Sequence, residues 1–599
     1  MQTFGTDKAS TISAHAWRWR DTVAAAGLFV ATAAVVLWQN AHVAVLWDLS
    51  YVLDTATRIA QGQTPYRDFP LVHAPATFLF HAALIRLAGR VFFYHALLVA
   101  VVGGVGSVLA WRLALRALAG RMRWAWWGSL ALAAPLAALG LYCVFPHPSY
   151  DCDAIFFVLL ALLLLHRLSG RGAAAGVREG LAAGAALVLP LFAKQNIGLA
   201  FLVASVALVL MLLAASRLWP ERIETPQHVL VALLVGAGGA LALALGMLQA
   251  TVGLGNYLHW TIGFAAQRRM PGLAAMGGVY ADPFLCWSLP ATLAGVLLLR
   301  GPLARQPWVQ SIWMRRAALV LVAAPWLFTL GSLLLFDNAS DRGDALLSLW
   351  PLLLVLAELV ALLRVGGIFR ARRLTLAALL PLVALAAIHG TLMSQQLWGS
   401  TYALWPLFVY LAAELLGELA FEGGVERAAL PQWFVPAMAS SISLTLALCG
   451  GFYMASEERL SYVDLAGEQL ATSVQPALWG LAMPGAHLAN FDELVAFAGA
   501  HIPPEESVVI LPGEDPFYFA TGRSAQFPVL LFDPATDPYS SAQLVEEARR
   551  QQVEWLVVKR VEQLRDDPMP EREASLSALG REFQPVAQLK GYDVYRRGK

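Results

Sequence analysis

The chain has 599 residues, of which 58% are hydrophobic and 14% charged, and its mean hydropathy is +0.59. Soluble globular domains carry about 25% charged residues, so this composition excludes an ordinary soluble protein. The net charge of +1 gives no sign of a nucleic-acid partner, and four cysteines do not form a disulfide framework. Several Leu- and Ala-rich runs exceed the roughly 20 residues that a helix needs to cross the hydrocarbon core.

Thirteen apolar segments are predicted to span the membrane. The first, 22–46, is too long for a signal-peptide core and lacks a small-residue cleavage site, so it is predicted to be an uncleaved helix with its N-terminus in the cytoplasm. The others are predicted at about 91–115, 124–145, 154–167, 180–194, 197–216, 228–250, 285–300, 317–336, 345–363, 374–393, 401–418 and 433–454.

Arginines recur in alternate connections between these segments, which the positive-inside rule assigns to the cytoplasm. They include Arg116, Arg121, Arg123, Arg167, Arg171, Arg178, Arg217, Arg222, Arg300, Arg305, Arg315, Arg316, Arg364, Arg370, Arg372 and Arg373. The opposite side then receives the loops at 47–90, 146–153, 251–284 and 337–344. With thirteen spans, the C-terminal tail is predicted to lie on that outer side as well.

The 47–90 loop differs from a span because charged residues and prolines interrupt its apolar residues. Helical spacing runs from Leu49 to Gln61, and Gly62 ends it. The segment 76–88 is apolar but too short to cross comfortably. The loop is therefore predicted to form amphipathic helices on the outer membrane surface.

The composition changes at about Ala455, which divides the chain into a transmembrane domain at 1–454 and an extracytoplasmic domain at 455–599. Strand–helix alternation predicts an α/β fold for the tail. Strands are expected at 507–511, 527–532, 554–559 and 592–597, and helices at 492–500 and 541–552. We expect residues from about 485 onward to fold alone as a soluble unit.

Carboxylates near the membrane boundary are the first candidates for chemistry, because charge is expensive to hold there. Asp48 follows the first span and could act as a general base, or it could cap the helix that follows. Asp151 and Asp153 could hold a divalent metal such as Mg²⁺ or Mn²⁺, or cap a helix beginning at Ala154. No cofactor is certain from these residues.

Cations provide a second set of candidates. Lys194 interrupts an apolar hairpin beside Gln195 and Asn196 and could bind a phosphate, or snorkel to the interface. Arg268 and Arg269, in an outer loop, favour an anionic ligand or form a solvated pair. A further outer cluster, read as a solvated turn, contains Asp337, Asp341, Arg342 and Asp344. The sequence has no P-loop, dinucleotide fingerprint or zinc-ligand spacing.

The segments 47–51 (WDLSY), 65–69 (PYRDF) and 74–76 (APA) resemble the first outer loop of the GT-C superfamily of membrane glycosyltransferases. More narrowly, they are similar to bacterial relatives of the protein O-mannosyltransferase and aminoarabinose transferase families. The resemblance continues at 153–157 (DAIFF) and at Lys194. The sequence departs from the family pattern at two places, so the resemblance does not identify the sugar or the acceptor. Leu49 stands where family members usually have a second acidic residue, and 73–75 (HAP) replaces Lys-Pro or Pro-Pro.

The resemblance implies an inverting transferase that moves a sugar from a polyprenyl-phosphate carrier to a glycan, lipid or protein acceptor. Such an enzyme spans the bacterial inner membrane, contacts membrane lipid and needs no nucleic acid. The implied roles are Asp48 and Asp153 for catalysis, Lys194, Arg268 and Arg269 for the donor phosphate, and Arg67, Asp68, His73 and His259 for the acceptor or sugar.

Two other functions are compatible with many helices. A lipid or glycan transporter or flippase would need no catalytic groups, but the chain shows no internal repeat and its ionisable residues lie near the outer boundary rather than mid-span. A non-catalytic envelope assembly protein would need no ordered acid–base groups in the 47–90 loop.

Overall fold

Apolar helices dominate the chain up to Ala455, and the tail contains a small mixed sheet. The computed structural model describes residues 17–269, 273–300, 302–335, 347–367, 374–393, 403–420, 430–455, 469–533, 536–563 and 570–598. The predicted fold class, a helical polytopic membrane protein with a C-terminal α/β unit, is confirmed. The acidic cluster predicted at 337–344 lies outside the described residues.

The helices, in chain order, are α1 (Trp19–Asn40), α2 (Leu46–Ala60), α3 (Ala76–Ala88), α4 (Phe92–Leu118), α5 (Ala125–Ala133), α6 (Leu136–Leu139), α7 (Tyr150–Arg171), α8 (Val177–Ala186), α9 (Leu189–Ala193), α10 (Gln195–Leu218), α11 (Gln227–Thr251), α12 (Leu254–Leu258), α13 (Ala265–Arg269), α14 (Leu273–Met276), α15 (Pro283–Arg300), α16 (Ile312–Leu335), α17 (Leu349–Gly367), α18 (Leu376–Leu392), α19 (Trp405–Ala420), α20 (Phe434–Ala455), α21 (His487–His501), α22 (Phe517–Thr521), α23 (Ser541–Arg550) and α24 (Pro570–Gly580). A π-helix, His259–Phe264, joins α12 to α13.

Nine of the helices in the described ranges are long and apolar enough to cross a membrane: α1, α4, α7, α10, α11, α15, α16, α17 and α20. The other four predicted spans coincide with shorter or interrupted helices, namely α5–α6, α8–α9, α18 and α19. Pro135 and Pro190 lie at the first two interruptions, where a residue without an N–H cannot continue the helical hydrogen bonds. That these four segments also span the membrane therefore stays a prediction.

Loops that the arginine pattern assigns to one side also meet in space. On the predicted outer side, the Gln195 side chain donates to the carbonyls of Val72 and Thr261. At the arginine-rich end, Arg121 contacts Glu414. These contacts agree with the predicted grouping of the loops, while the side that faces the cytoplasm stays a prediction.

The first outer loop contains the two helices expected from the sequence, α2 and α3. Gly62, with φ +103°, follows the C-cap of α2 in a conformation that favours glycine. The loop then turns at Tyr66, whose φ is +68°. The Tyr66 hydroxyl donates to the carbonyl of His73 at 2.7 Å, so this turn fixes the segment that leads into α3.

The tail has a four-stranded sheet in the order β3-β4-β6-β5 and a separate antiparallel pair, β1-β2. The strands are β1 (Leu470–Thr472), β2 (Ala482–Pro484), β3 (Val508–Leu511), β4 (Trp555–Lys559), β5 (Phe583–Gln588) and β6 (Tyr592–Arg597). Strand β3 pairs parallel to β4, and the other pairs in this sheet are antiparallel.

The strand predicted at 527–532 is wrong, because these residues form no strand. The carbonyls of Phe527 and Pro528 accept hydrogen bonds from the Arg58 guanidinium. Pro528 also lacks the N–H that a central strand needs. The side chains of Phe527, Val529 and Phe532 are nevertheless buried in the tail's core, which explains their apolar pattern.

The tail and the first outer loop share one apolar cluster. Leu49 and Leu53 of α2 belong to the same buried cluster as Phe517, Phe519 and Trp555 of the tail. The tail and α2 thus share apolar packing, and independent folding of residues from about 485 onward stays a prediction.

Candidate functional site

Asp48 lies in the first turn of α2, which begins at Leu46 with Val45 as its N-cap residue. The capping alternative is therefore wrong for Asp48. A carboxylate in the first turn still benefits from the positive end of the helix dipole. Asp48 is half-buried, and Tyr51, three residues later, lies beside it on the helix surface.

A series of ring contacts leads from Tyr51 to Lys194. The Tyr51 hydroxyl is 3.1 Å from His73 Nδ1. The His73 ring stacks on Tyr150, with centroids 4.1 Å apart and an interplanar angle of 21°. Lys194 Nζ lies 4.2 Å from the centroid of the same tyrosine ring. Two regions far apart in sequence, the outer loop and the α9–α10 hairpin, thus meet at one site.

Lys194 occupies the extended residue between α9 and α10. The hairpin is tight at this point because residue 198 is a glycine. A Cβ at this position would lie only 2.1 Å from the Leu191 nitrogen. Gln195 fastens the hairpin to the outer loop: its side chain donates to Val72 and accepts from the Ala74 amide. The tight hairpin and the long-range contacts of Gln195 together hold Lys194 against the outer loop.

The Lys194 ammonium is almost fully buried and pairs with Asp151 at 3.2 Å. A buried charge is tolerated only when it is paired and hydrogen-bonded. The face of Tyr150 adds a cation–π contact, which is stronger when the cation is desolvated. The arrangement offers a fixed positive group at the same end of the bundle as the Asp48 carboxylate.

Asp153 is engaged by two hydroxyl groups. Its two carboxylate oxygens accept from Thr77 Oγ1 and from the Tyr142 hydroxyl, each at 2.6 Å. These contacts join α7 to α3 and to the preceding loop, which favours a structural role. Helix α7 begins at Tyr150, so the cap predicted for a helix starting at Ala154 is wrong.

The proposed acidic metal pair is not assembled as a ligand set. Asp151 pairs with Lys194, whereas Asp153 accepts from two hydroxyls. Among the residues that the structure describes, no group of three or more His, Cys, Asp and Glu side chains could hold a metal ion. The geometry therefore favours charge pairing and helix packing for this acidic pair.

Arg67 and Asp68 form an exposed pair with each other, with Arg67 Nε 2.9 Å from Asp68 Oδ1. Asp68 also accepts the Thr64 amide at 2.6 Å. The hydrogen bond from Arg67 is the main cause that lowers the pKa of Asp68. Both residues stabilise the turn that carries Tyr66. Of the residues predicted to contact the acceptor or sugar, His73 takes part in the ring contacts.

The loop after α11 places Arg268 near the tail. The Arg268 guanidinium lies 5.3 Å from the centroid of Phe264 and interacts electrostatically with Asp537 of the tail. Burial raises the pKa of Asp537 to about 7, and Arg268 opposes that shift. His259 is exposed and contacts Trp260 edge-on. Arg269 belongs to α13, and its side chain lies outside the described residues.

Three site residues had no role assigned from the sequence: Tyr51, Tyr150 and Gln195. Tyr51 could have been found by its helical spacing from Asp48. Tyr150 could have been found because it precedes a carboxylate at the start of a helix. The contacts of Gln195 with residues more than 60 positions away carry no local sequence signal.

The fold and site define a polytopic membrane protein whose first outer loop, inter-helix hairpins and tail converge at one end of the helical bundle. No protein-family model matches the chain, and no curated protein matches it. Among solved structures, the chain is similar to ArnT from Cupriavidus metallidurans bound to undecaprenyl phosphate, at 14% identity and a TM-score of 0.45, covering 95% of this chain and 97% of that chain.

The apo state of the same ArnT gives a TM-score of 0.41 with the same identity and coverage. Both TM-scores lie below 0.5, so the function is inferred from this chain's own residues.

Proposed function

We propose that the protein is a membrane glycosyltransferase that transfers a sugar from a polyprenyl-phosphate carrier to an acceptor hydroxyl. The reaction takes place at the end of the bundle where the outer loop meets the tail. Asp48 is the general base, and Lys194 binds the phosphate of the donor. The sugar is transferred by direct displacement with inversion of the anomeric centre.

One observation carries the proposal: Tyr51, His73 and Tyr150 connect the helix face of Asp48 to the Lys194 ammonium. Sugar transfer from a phosphate carrier requires a base for the acceptor hydroxyl and a cation for the departing phosphate. A half-buried carboxylate and a buried ammonium at one site supply both. The apolar helices around them provide a surface for the polyprenyl chain.

The chemistry balances with these groups alone. Asp48 takes the proton of the acceptor hydroxyl as its oxygen attacks the anomeric carbon, and the bond from that carbon to the phosphate oxygen breaks. The polyprenyl phosphate leaves with the electron pair of that bond, and Lys194 stabilises its charge. A positioned cation is effective here because the charge develops in a site of low dielectric constant.

The test uses cells that lack the protein, because the acceptor is then supplied by the envelope itself. We expect a polyprenyl-phosphate sugar to accumulate in these cells, and the parental gene to remove the accumulation. Asp48→Asn keeps the size of the side chain and removes the proton acceptor. Since a general base contributes about 10²–10⁴-fold, the variant should leave the accumulation in place at equal protein level.

The matched control is Asp54→Asn, the same change six residues further along α2. The Asp54 carboxyl accepts the Phe519 amide of the tail and is not part of the ring contacts around Lys194, so this variant should clear the donor. Removal of the donor at the parental rate by Asp48→Asn would refute the base assignment. Absence of any accumulated carrier-linked sugar would instead favour a transporter or an assembly protein.

A further inference from the structure

Helix α2 lacks a cap from its own sequence. The first N–H groups of a helix need partners from outside the helix, and the N-cap residue here is Val45, whose side chain cannot accept a hydrogen bond. Two side chains from other regions take its place. The Val45 amide donates to His147 Nε2 at 2.9 Å, and the Leu46 amide donates to Gln563 Oε1 at 2.8 Å.

Gln563 reaches this position from the tail and is fully buried. Its Nε2 donates to the carbonyl of Ala44 at 2.6 Å, while its Oε1 accepts from Leu46. The side-chain amide of Gln563 therefore bridges Ala44 and Leu46, the residues on either side of Val45. Asp48 lies two residues after Leu46, within the helical turn that this bridge fixes.

A buried ionic group in the tail holds Gln563 in turn. The backbone N–H of Gln563 donates to Glu514 Oε1 at 2.7 Å. Lys559 Nζ lies 2.6 Å from Glu514 Oε2 and 2.9 Å from Asp515 Oδ1, and the Tyr592 hydroxyl donates to Asp515 at 2.8 Å. All of these side chains are buried, so the cap is anchored in the tail's sheet rather than on a mobile surface loop.

The tail contacts α2 along one stripe of residues. Beyond Leu46, Ser50 donates to the Gly513 carbonyl at 2.7 Å, and Asp54 accepts from the Phe519 amide at 2.7 Å. Arg58 donates to two tail carbonyls. Positions four residues apart lie on one face of a helix, so the tail binds this face while Asp48 and Tyr51 lie on another part of the helix surface.

We propose that Gln563 is a positioning residue for Asp48, so that the tail completes the active site without touching the reacting atoms. This inference rests on the proposed function. It predicts that loss of the Gln563 bridge loosens the first turn of α2 and lowers the turnover rate, while donor binding at Lys194 is retained.

The test compares the parent with Gln563→Met, which has a similar volume but neither bonds to the Leu46 amide nor donates to the Ala44 carbonyl. Amide hydrogen exchange of the full-length protein should be faster at residues 45–49 and unchanged at 52–60. In native membrane vesicles supplied with a polyprenyl-phosphate sugar, kcat should fall on the order of tenfold to a hundredfold, since small misplacements of a catalytic group have such effects. KM for the donor should stay at the parental value.

The matched control is Gln61→Met. Gln61 Nε2 donates to the Gly522 carbonyl at 3.1 Å, so this variant loses a glutamine contact between α2 and the tail at the opposite end of the helix. Exchange at 45–49 and kcat should both match the parent. If the Gln563→Met protein is not produced in the membrane, Gln563→Asn is used instead. It removes one methylene, keeps the side chain polar and tests the same bridge.

Unchanged exchange at 45–49, or a parental kcat, in the Gln563 variant overturns the inference. A fall in kcat of the same size in Gln61→Met also overturns it, because general loosening of the tail would then be sufficient. Asp48→Asn is measured alongside: if it retains parental turnover, the proposed function and this inference both fail. If Asp48→Asn is inactive and Gln563→Met is fully active, the positioning role alone fails.

Discussion

At the arginine-rich end of the helical bundle, the Glu414 carboxylate is buried between Arg121 at 3.2 Å and Arg364 at 3.0 Å. At the opposite end, the buried ammonium of Lys194 meets Asp151 and the face of Tyr150. Asp48 remains half-buried near this second end. Both ends therefore hold charges close to apolar helices, but with different partners.

The difference lies in where the charges are attached. Glu414 and Arg364 belong to the middle and end of packed helices, α19 and α17, and their contacts join those helices. Lys194 lies in a connection, and Asp48 in the first turn of an outer helix. The buried pairs thus differ in what they join: Glu414 and Arg364 link two packed helices, whereas Lys194 and Asp151 link a connection between helices to the first turn of α7.

The largest expected effect concerns which end faces the cytoplasm. Reporter fusions after Arg123 and Arg178 should read as cytoplasmic, as should one after Arg373, and a fusion at Lys599 should read as outside. These outcomes are all-or-none because arginine-rich loops resist translocation. A cytoplasmic C-terminus would mean an even number of spans and would reverse the assignment of the candidate site to the outer side.

Glu414→Gln tests the structural interpretation of the arginine-rich end. Removing one partner of a buried ion pair typically costs about 3–5 kcal/mol, so the melting temperature of the purified protein should fall clearly. Donor consumption per folded molecule should be unchanged. Glu418→Gln is the control: Glu418 also contacts Arg364, but its side chain is 42% exposed, and exposed pairs contribute about 0–1 kcal/mol. Equal destabilisation by both variants would remove the contrast between the two ends.

Lys194→Met tests the ligand-binding interpretation of the other end. A hydrogen bond to a charged group contributes about 1.5–3 kcal/mol, so affinity for a polyprenyl-phosphate sugar should fall about tenfold to a hundredfold. The single variant leaves Asp151 buried beside a methionine. The double variant Lys194→Met/Asp151→Asn removes that charge and should regain stability without regaining affinity. Parental affinity in the double variant would limit the role of Lys194 to its ion pair with Asp151.

The smallest effect is expected in the pH dependence of the contact between the tail and α2. Burial, opposed by the amides of Phe519 and Tyr518, raises the pKa of Asp54 to about 8; nearby Asp515 raises it further and Arg58 lowers it. In water an aspartate has a pKa of about 3.9. The docked state therefore binds the proton more tightly, and its stability falls as pH rises from about 4 to about 8.

The measurement is the melting temperature of the parent and of Asp54→Asn across that pH range. The variant cannot ionise, so the part of the slope due to Asp54 should disappear from its curve. Parallel curves for the two proteins would show that this carboxyl does not titrate on unfolding.

Much of the helical architecture was predictable because hydrophobic length is a local property. The bounds of α3 and the end of α2 before Gly62 agree with the sequence pattern. The strand predicted at 527–532 was wrong for a tertiary reason: Arg58, almost 470 positions away in sequence, binds the carbonyls of its first two residues. An apolar pattern shows that residues are buried, not which partner their backbone will have.

For the site, the sequence by itself determined which charges lie near the membrane boundary: Asp48 after the first apolar run, and Lys194 within a hairpin. Only the tertiary structure decided their partners, because the contacts of Lys194 with Tyr150 and of Leu46 with Gln563 join residues that are 44 and 517 positions apart. Helix α2 carries no capping residue at Val45, so its start depends on side chains that reach it only when the tail and the preceding loops have packed against it.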